Sequence, residues 1–369
     1  MSYTKATVWF MTGTGNAYRA ATWLRDAAAK QGADAEMKRI TTGWPHKDEP
    51  KGADRLLGLA FPTHGFTAPW AVLRFVRRLP RGEGTHALVV ATRAGAKVGP
   101  LFTPGLEGTA CWLVALLLWL KGYAVRGVMG LDMPSNFVLV HPPLPAIACA
   151  AIIERARTKT AAFAEGILSG GRRFRGFVGL LVGLVLLPVS VAYLLLGRFF
   201  IAKLMFASER CTGCGQCAER CPFGAIRMYG KTRRRPYWTF QCENCLQCMA
   251  WCPERAIESG HPFGVLLYFA ITVPVGVWAM NWLTAHLHWP AGADNMATRL
   301  VLQYPYVLLA MFVSYLVFTC LLHIPLVNRL FTWTTLTHYY GRYREPDTTL
   351  SDLDAQGEPC VSPPKSSES

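Results

Sequence analysis

Three long stretches of the sequence are free of charged residues and largely apolar. They cover residues 176–197, 262–285 and 300–322. At about 1.5 Å per residue, each is long enough as a helix to cross a hydrocarbon layer of about 30 Å. A fourth apolar stretch, residues 109–120, is too short to span a membrane and predicts a buried helix of a soluble domain.

These stretches divide the chain into five units. We expect a soluble first domain, a hydrophobic membrane segment, a cysteine-rich module, a transmembrane hairpin and a basic juxtamembrane segment with a tail, at residues 1–169, 170–206, 207–260, 261–325 and 326–369 respectively. Beyond residue 345 the sequence is polar and rich in proline and serine, which predicts a disordered tail.

The first domain alternates strand-like and helix-like patterns. Apolar runs predict strands at residues 6–10, 34–40, 56–61, 87–92 and 124–131. The stretches between and after them predict helices near residues 17–31, 69–79, 109–121 and 145–168. Five strands alternating with helices are typical of an α/β fold with a doubly wound parallel sheet. In such folds, ligands bind beyond the carboxyl ends of the strands.

A loop rich in hydroxyl groups and glycine joins the first strand to the first helix. Its residues are Thr12, Gly13, Thr14, Gly15, Asn16 and Ala17. Hydroxyls, backbone N–H groups and a helix N-terminus together suit one phosphate group. The loop lacks the third glycine of Gly-x-Gly-x-x-Gly and the Lys-Ser/Thr of a Walker loop. Taken alone, it is equally compatible with an ordinary strand-to-helix turn.

Two further segments, after the third and fourth strands, make the first domain resemble flavodoxins. The sequence TGTGNA is similar to the flavodoxin phosphate loop, usually S/T-x-T-G-N-T. The other two flavin loops correspond to Thr63, His64, Gly65 and Phe66, and to Thr92, Arg93, Ala94 and Gly95. The resemblance covers about residues 4–168. It implies a flavodoxin-like sheet of strand order 2-1-3-4-5 that binds FMN.

The domain departs from the flavodoxin pattern in two respects. Ala17 stands where the phosphate motif has its last hydroxyl, and the second loop offers only His64 and Phe66 as flanking rings. The third loop contains no aromatic residue but does contain Arg93. A cation there would favour the anionic reduced flavin and raise its potential, or the side chain would simply reach solvent.

Eight cysteines form two runs of the type C-x2-C-x2-C-x3-C-P. This is the signature of bacterial ferredoxins with two [4Fe–4S] clusters, in which the fourth cysteine of each run ligates the other cluster. The pattern assigns one cluster to Cys211, Cys214, Cys217 and Cys252, and the second to Cys242, Cys245, Cys248 and Cys221. Zinc is the alternative, but structural zinc sites use separated C-x2-C pairs. Together the two units resemble flavodoxin–ferredoxin fusion proteins.

The composition of the chain indicates where the protein is located and which classes of partner it binds. The chain has 369 residues, 51% of them hydrophobic and only 17% charged, which favours contact with lipid. Its net charge of +15 is scattered and accompanies no nucleic-acid recognition fold, so we expect no nucleic-acid partner. Without a signal-peptide pattern, the N-terminus is expected in the cytoplasm, where cysteine usually serves metal binding or catalysis.

The distribution of basic residues predicts the topology. The loop at residues 286–299 carries only Asp294 and Arg299 as charged groups, whereas both outer flanks of the hairpin are basic. The positive-inside rule therefore places the cysteine-rich module in the cytoplasm, at the inner membrane. Pro188 lies near the middle of residues 176–197 and favours a re-entrant or interfacial helix that leaves both redox units on the cytoplasmic side. A single crossing is the alternative.

These features indicate a membrane-anchored electron-transfer protein that uses FMN and two [4Fe–4S] clusters with a redox partner protein. No motif indicates a catalytic acid, base or nucleophile. A quinone-linked oxidoreductase with a substrate site in the hairpin is the alternative. His261 and His323 lie at corresponding ends of the hairpin helices, so a b-type haem between them is a further possibility.

Overall fold

A computed structural model describes residues 3–42, 51–230, 234–271, 275–286 and 296–354. The strands within those ranges are β1 Lys5–Phe10, β2 Asp34–Arg39, β3 Arg55–Pro62, β4 His86–Val98, β5 Leu101–Thr103, β6 Ala124–Pro134, β7 Arg173–Phe174, β8 Met205–Ala207, β9 Ile226–Tyr229, β10 Arg235–Trp238 and β11 Ile257–Ser259. The first seven belong to the first domain and the last four to the cysteine-rich module.

The helices fall into three groups. Those of the first domain are α1 Asn16–Lys30, α2 Trp70–Arg78, α3 Ala110–Leu120 and α4 Ala146–Leu168. The hydrophobic segment and the cysteine-rich module contain α5 Phe177–Val185, α6 Leu187–Ala192, a π-helical turn Tyr193–Gly197, α7 Arg198–Lys203, α8 Gln216–Glu219 and α9 Gln247–Ala250. The rest of the chain forms α10 His261–Ile271, α11 Val275–His286, α12 Met296–Leu321, α13 Pro325–Trp333, a 3₁₀ turn Leu336–His338 and α14 Leu350–Asp354.

The first domain is built on a parallel sheet in the order β2-β1-β3-β4-β6, extended at one edge by β7. Strand β5 only forms an antiparallel hairpin with β4. Without that hairpin strand the order is 2-1-3-4-5, so the predicted doubly wound, flavodoxin-like sheet is confirmed. Helices α1 and α4 pack on one face and α2 and α3 on the other, and this covers both sides of the apolar central strands.

The predicted third flavin loop is wrong as a loop. Residues Thr92 to Gly95 continue strand β4, where Thr92 pairs with Leu131 and Gly95 pairs with Pro134. The pairing lasts longer than the apolar run because the β4–β5 hairpin and an ion pair between Arg93 and Asp132 keep the chain extended. The sheet therefore delivers this segment to the ligand edge as a rigid strand end.

The cysteine-rich module has approximate internal symmetry. Strand β8 pairs with β11 and β9 pairs with β10, each pair antiparallel. The short helices α8 and α9 each begin beside the third cysteine of a run, Cys217 and Cys248. The repeat seen in the sequence is thus a repeat of local structure.

The hydrophobic segment is a bent pair of helices. Phe177–Val185 and Leu187–Lys203 meet at an angle of 73°, at a break at Leu186, two residues before Pro188. Gly179 and Gly183 lie one turn apart on the face that packs on the first domain, where a Cβ on Gly183 would come within 2.5 Å of the backbone of Gly108. These glycines therefore permit close contact between α5 and the first domain.

Two other helical stretches are long and apolar enough to cross a membrane. They are His261–Ala279 and Gln303–Leu321, and the bent pair would be a third if it formed one span. Apolar side chains of α10 and α12, including Phe263, Met311 and Phe318, pack together with Phe206 of the cysteine-rich module. The candidate hairpin is thus joined directly to the module.

The segment that follows α13 returns to the first domain. Leu353, on α14, is fully buried in the core formed by α1 and α4. The carbonyl oxygen of Leu353 accepts a hydrogen bond of 3.3 Å from Arg39 Nη1. The structure therefore differs from the predicted disordered tail as far as residue 354, because one apolar side chain finds a place in a distant core. Residues 355–369 lie outside the described residues.

Candidate functional site

The predicted phosphate loop lies at the N-terminus of α1, beyond the carboxyl end of β1. Gly15, with a φ of 103°, makes the turn, and its N–H donates a 3.1 Å hydrogen bond to Thr12 Oγ1. The Asn16 amide donates 2.9 Å to the Pro134 carbonyl oxygen, at the end of β6. These bonds hold the loop against two strand ends and leave it beside the helix N-terminus, which favours an anion.

The three predicted flavin segments meet around one cavity of about 390 Å³. Of the predicted residues, those that line it are Thr12, Gly13, Asn16, Ala17, Thr63, His64, Gly65, Phe66, Thr92, Arg93 and Ala94. The other three predicted residues, Thr14, Gly15 and Gly95, do not line the cavity. Thr14 Oγ1 accepts a bond of 2.6 Å from Asn136, Gly15 lies against Glu345, and Gly95 lies against Asp132.

One buried atom in this cavity lacks a protein partner. Among the described residues, Thr63 Oγ1 is buried without a hydrogen bond. A buried hydroxyl without a partner is costly, and a ligand with polar edges would satisfy it. The residues present therefore fit FMN: an anion site at one end, a free hydroxyl in the middle, and room for a large ring.

The second loop is held by the bent hydrophobic segment. Gly65 has a φ of 55°, and a Cβ there would lie 2.4 Å from the ring of Tyr193. Ser190 Oγ donates 2.9 Å to the carbonyl oxygen of Gly65, and Tyr193 Oη lies 3.3 Å from His64 Nδ1. Burial lowers the pKa of His64 to about 4, so this imidazole is neutral at pH 7.

Residues from two other units, none of them predicted as part of the site, complete this cavity. Tyr193 and Ile201 come from the hydrophobic segment, and Asn244, Cys245 and Leu246 come from the second cysteine run. The only signal in the sequence was Tyr193, because a polar aromatic residue is unusual in a charge-free apolar stretch. These residues supply walls of the cavity beyond His64 and Phe66 of the second loop.

Arg93 fulfils neither of the two roles considered for it. Its Nε lies 2.7 Å from Asp132 Oδ1, and a second ion pair joins it to the buried carboxylate of Glu107. Lys159 completes the network with a 3.1 Å contact to Asp132. Although Arg93 lines the cavity, two carboxylates balance its charge, so it presents no uncompensated cation to a ligand.

All eight cysteines of the two runs line a second cavity. The pKa of Cys217 is raised to about 12, mainly by burial and to a smaller extent by the nearby Cys211, Cys252 and Cys214. The pKa of Cys245 is likewise raised to about 12, mainly by burial and to a smaller extent by the nearby Cys221. The fourth cysteine of each run thus lies near the thiols of the other run.

The repeat Ala-Ile after each run also has a structural role. The N–H of Ala225 donates 3.3 Å to Cys221 Sγ, and the N–H of Ala256 donates 3.4 Å to Cys252 Sγ. Hydrogen bonds to ligand sulfurs are among the factors that set cluster potentials. The same bond at both symmetry-related positions indicates that the two sites are built alike.

A cluster and a single metal ion need different arrangements of cysteine ligands. Within the described ranges, no three His, Cys, Asp or Glu side chains converge to hold one metal ion. A zinc ion needs four ligands at about 2.0–2.3 Å from one point, whereas the four irons of a cubane each take a separate thiolate. Two runs of four cysteines, all lining one cavity, are the pattern that ligates such clusters.

The cysteine-rich module packs directly on the phosphate loop. A Cβ placed on Gly13 would lie 1.9 Å from the carbonyl oxygen of Cys245, so only glycine permits this approach. Glu243 accepts 3.1 Å from the N–H of Ala71 and 3.2 Å from Arg74, at the start of α2. Burial raises the pKa of Glu243. The two candidate cofactor sites are thus adjacent, with Cys245 at the boundary of both cavities.

Each of the two histidines at the hairpin ends has hydrogen-bond partners in the protein. His261 Nδ1 lies 2.7 Å from Thr335 Oγ1 and its Nε2 lies 2.5 Å from the carbonyl oxygen of Leu139, so both ring nitrogens have partners. His323 Nδ1 lies 3.1 Å from the carbonyl oxygen of Thr319. These contacts tie the hairpin ends to neighbouring segments.

Comparison with known proteins identifies the cysteine-rich module. The family of 4Fe-4S binding domains matches residues 206–227. An uncharacterized ferredoxin of Methanocaldococcus jannaschii is 36% identical over 58 residues, which cover 15% of this chain and 74% of that ferredoxin. A ferredoxin of Pyrobaculum islandicum is 29% identical over 56 residues, 15% of this chain and 51% of the relative.

These matches define an iron–sulfur protein of the electron-transfer class. Through its cysteine-rich module, the chain belongs to the family of [4Fe–4S] ferredoxins. Among solved structures, a flavodoxin of Streptococcus pneumoniae TIGR4 aligns with 17% identity and a TM-score of 0.28, covering 44% of this chain and 97% of the flavodoxin.

Proposed function

We propose that this chain is a membrane-anchored electron-transfer protein that passes electrons between FMN and two [4Fe–4S] clusters, to or from a partner enzyme. The observation that carries the proposal is the shared boundary of the two cavities. Asn244, Cys245 and Leu246 line the flavin cavity, and Cys245 is also a candidate cluster ligand. No intermediate carrier is needed between sites that share a wall.

The residues divide the work of holding the cofactors. Backbone N–H groups at Thr12–Ala17 would bind the phosphate of FMN, and Thr63 would meet the polar edge of the ring. Cys211, Cys214, Cys217 and Cys252 would hold one cluster, and Cys242, Cys245, Cys248 and Cys221 the other. FMN exchanges electrons in pairs or singly and a cluster exchanges one, so the assembly converts between pairs and single electrons.

The contacts support one compartment for both redox units. Trp251 Nε1 donates 2.8 Å to the carbonyl oxygen of Gly13, a distance that leaves no room for a hydrocarbon layer of about 30 Å. The bent segment between the two units would therefore enter and leave the membrane on the same side. With the basic flanks of the hairpin, this supports anchorage at the inner membrane with both units in the cytoplasm.

Anaerobic purification of the full chain tests this proposal. We expect one FMN and about eight iron and eight sulfide per chain, with reduction of the flavin followed by reduction of a cluster in rapid-mixing experiments. Replacing Thr14 and Asn16 together by alanine should lower FMN content while retaining iron. About four iron per chain, or FAD in place of FMN, would contradict the proposal.

The same preparation tests the quinone alternative. A quinone-linked oxidoreductase with a site in the hairpin predicts that added quinol changes the EPR signal of the clusters. A carrier that delivers electrons to a soluble partner predicts no change. A clear quinol effect that survives loss of FMN would favour the alternative.

A further inference from the structure

Helix α3 of the first domain is apolar on every side, although only one side faces the sheet. Its sequence is ACWLVALLLWL. Cys111, Val114 and Leu118 are buried against β4 and β6, whereas Leu116, Trp119 and Leu120 are 49%, 63% and 65% exposed. The outer face of such a helix in an α/β domain is normally polar. The prediction of a buried helix is therefore correct for the side that faces the sheet and wrong for the outer side.

This outer face continues into the hydrophobic segment. Trp112 Nε1 donates 3.4 Å to the carbonyl oxygen of Gly176, and its ring stacks on Phe174 with centroids 6.0 Å apart. Helix α5 follows, with its glycines against the domain and Phe177 and Val185 outward, 62% and 79% exposed. The exposed sides of α3 and α5 together form one surface, which we call the α3–α5 face.

Three observations indicate what covers the α3–α5 face. The bent segment leads into the candidate hairpin, where Tyr304 Oη on α12 donates 3.2 Å to the carbonyl oxygen of Leu195. The face is thus continuous with the helices long enough to span a membrane. Arg172 and Arg175 are exposed directly beside it, and a basic fringe complements anionic lipid headgroups. Exposed tryptophan is also typical of the membrane interface.

We propose that the flavodoxin-like domain itself lies on the membrane, with the α3–α5 face seated in the headgroup region of anionic lipids. The proposal rests on the membrane anchorage in the proposed function and adds that the flavin domain is not held away in solvent. The lipid surface would fix the orientation of the domain. The flavin cavity lies beyond the carboxyl ends of the strands, and the exposed residues of the α3–α5 face do not line it.

Spin labels on the full chain test the seating of α3. In nanodiscs of phosphatidylcholine with phosphatidylglycerol, one label is placed at Leu120→Cys on α3, one at Leu184→Cys on α5 and one at Gln31→Cys just after α1. Cys320 and Cys360 are replaced by serine, and retained FMN and iron verify folding. We expect the label at 120 to be relaxed by oxygen more than by a soluble nickel chelate, like the label at 184 and unlike the label at 31.

The outcomes separate this inference from the anchorage. A label at 120 that responds to nickel, beside a label at 184 that responds to oxygen, would overturn the seating of α3 and leave the anchor intact. Nickel access at both positions would contradict membrane contact of the bent segment itself. Protection of position 120 from both reagents, with spin–spin broadening, would mean that a second copy covers the face and would also overturn the proposal. Leu116→Cys repeats the test if the first variant loses cofactor.

Discussion

Trp251 and Gly13 are joined by a hydrogen bond of 2.8 Å from the indole Nε1 to the backbone oxygen. Gly13 belongs to the phosphate loop and Trp251 precedes Cys252, a candidate cluster ligand. The same indole ring has the guanidinium of Arg344 5.2 Å from its centroid. One side chain therefore connects the first domain, the cysteine-rich module and the C-terminal segment.

Removing that hydrogen bond should loosen the docking of the two redox units. For Trp251→Phe we expect loss of about 1 kcal/mol, and hence a severalfold lower rate of electron transfer between flavin and clusters at unchanged cofactor content. Laser-flash or rapid-mixing kinetics measure the rate. Trp23→Phe, on α1 away from the junction, is the matched control. Equal rates in the two variants would argue against a role for this contact.

The crossover of the fourth cysteines gives a second prediction. Cys221→Ser should damage the cluster held by Cys242, Cys245 and Cys248, because Cys221 lies near them. Cys252→Ser should damage the cluster held by the first run instead. EPR of the reduced proteins, together with iron content, separates the two spectra. Loss of the first-run cluster in Cys221→Ser would overturn the ligand assignment.

His64 should make the protein sensitive to acid. Its pKa is about 4 in the folded protein because of burial, against an ordinary value near 6.5. As the pH falls below 6.5, the imidazole is protonated in the unfolded chain but not in the folded protein. The free energy of unfolding therefore decreases between pH 6.5 and pH 4, by about 3 kcal/mol. The His64→Gln variant should not show this pH-dependent decrease in stability.

Thermal unfolding followed by flavin fluorescence measures the effect of His64. Between pH 6.5 and 4, the midpoint of the wild type should fall roughly 5–10 °C more than that of His64→Gln. His286→Gln, an exposed position at the end of α11, is the control and should keep the wild-type slope. Parallel slopes in all three proteins would mean that His64 is already charged or accessible when folded.

The topology predicts a labelling pattern in intact cells. A cysteine introduced at Ala291, which lies outside the described residues, should react with an impermeant thiol reagent. Cysteines at Ser169 and Gly230 should react only after lysis, because both redox units are expected in the cytoplasm. Cys360 is replaced to remove background. External labelling at Gly230 but not at Ser169 would mean that residues 176–197 cross the membrane.

Local sequence patterns predicted the central elements of the first domain to within a few residues. The predicted strand at 34–40 is Asp34–Arg39, and the predicted helix at 145–168 is Ala146–Leu168. Alternation and helical periodicity suffice there because each element buries a continuous apolar face. The cysteine spacing likewise predicted a [4Fe–4S] module, which the relatives bear out.

Features that depend on distant partners were not predictable. Thr92 to Gly95 continue a strand because β6 pairs with them. Leu353 is buried because the core of α1 and α4, far earlier in the chain, accepts it. Tyr193 and Leu246 enter the flavin cavity from two other units. Such long-range contacts leave no periodic trace in the segment that makes them.

The returning C-terminal segment has a consequence for biosynthesis. Tyr343 Oη donates 2.6 Å to Asn16 Oδ1 across 327 positions of sequence, and Leu353 closes the core behind α1. Neither residue has left the ribosome while the first domain and the cysteine-rich module are being made. The phosphate loop therefore stays uncovered by this segment until residues 343–354 emerge. If the chain binds FMN as proposed, that interval would let the cofactor enter without displacing the segment that later closes the domain.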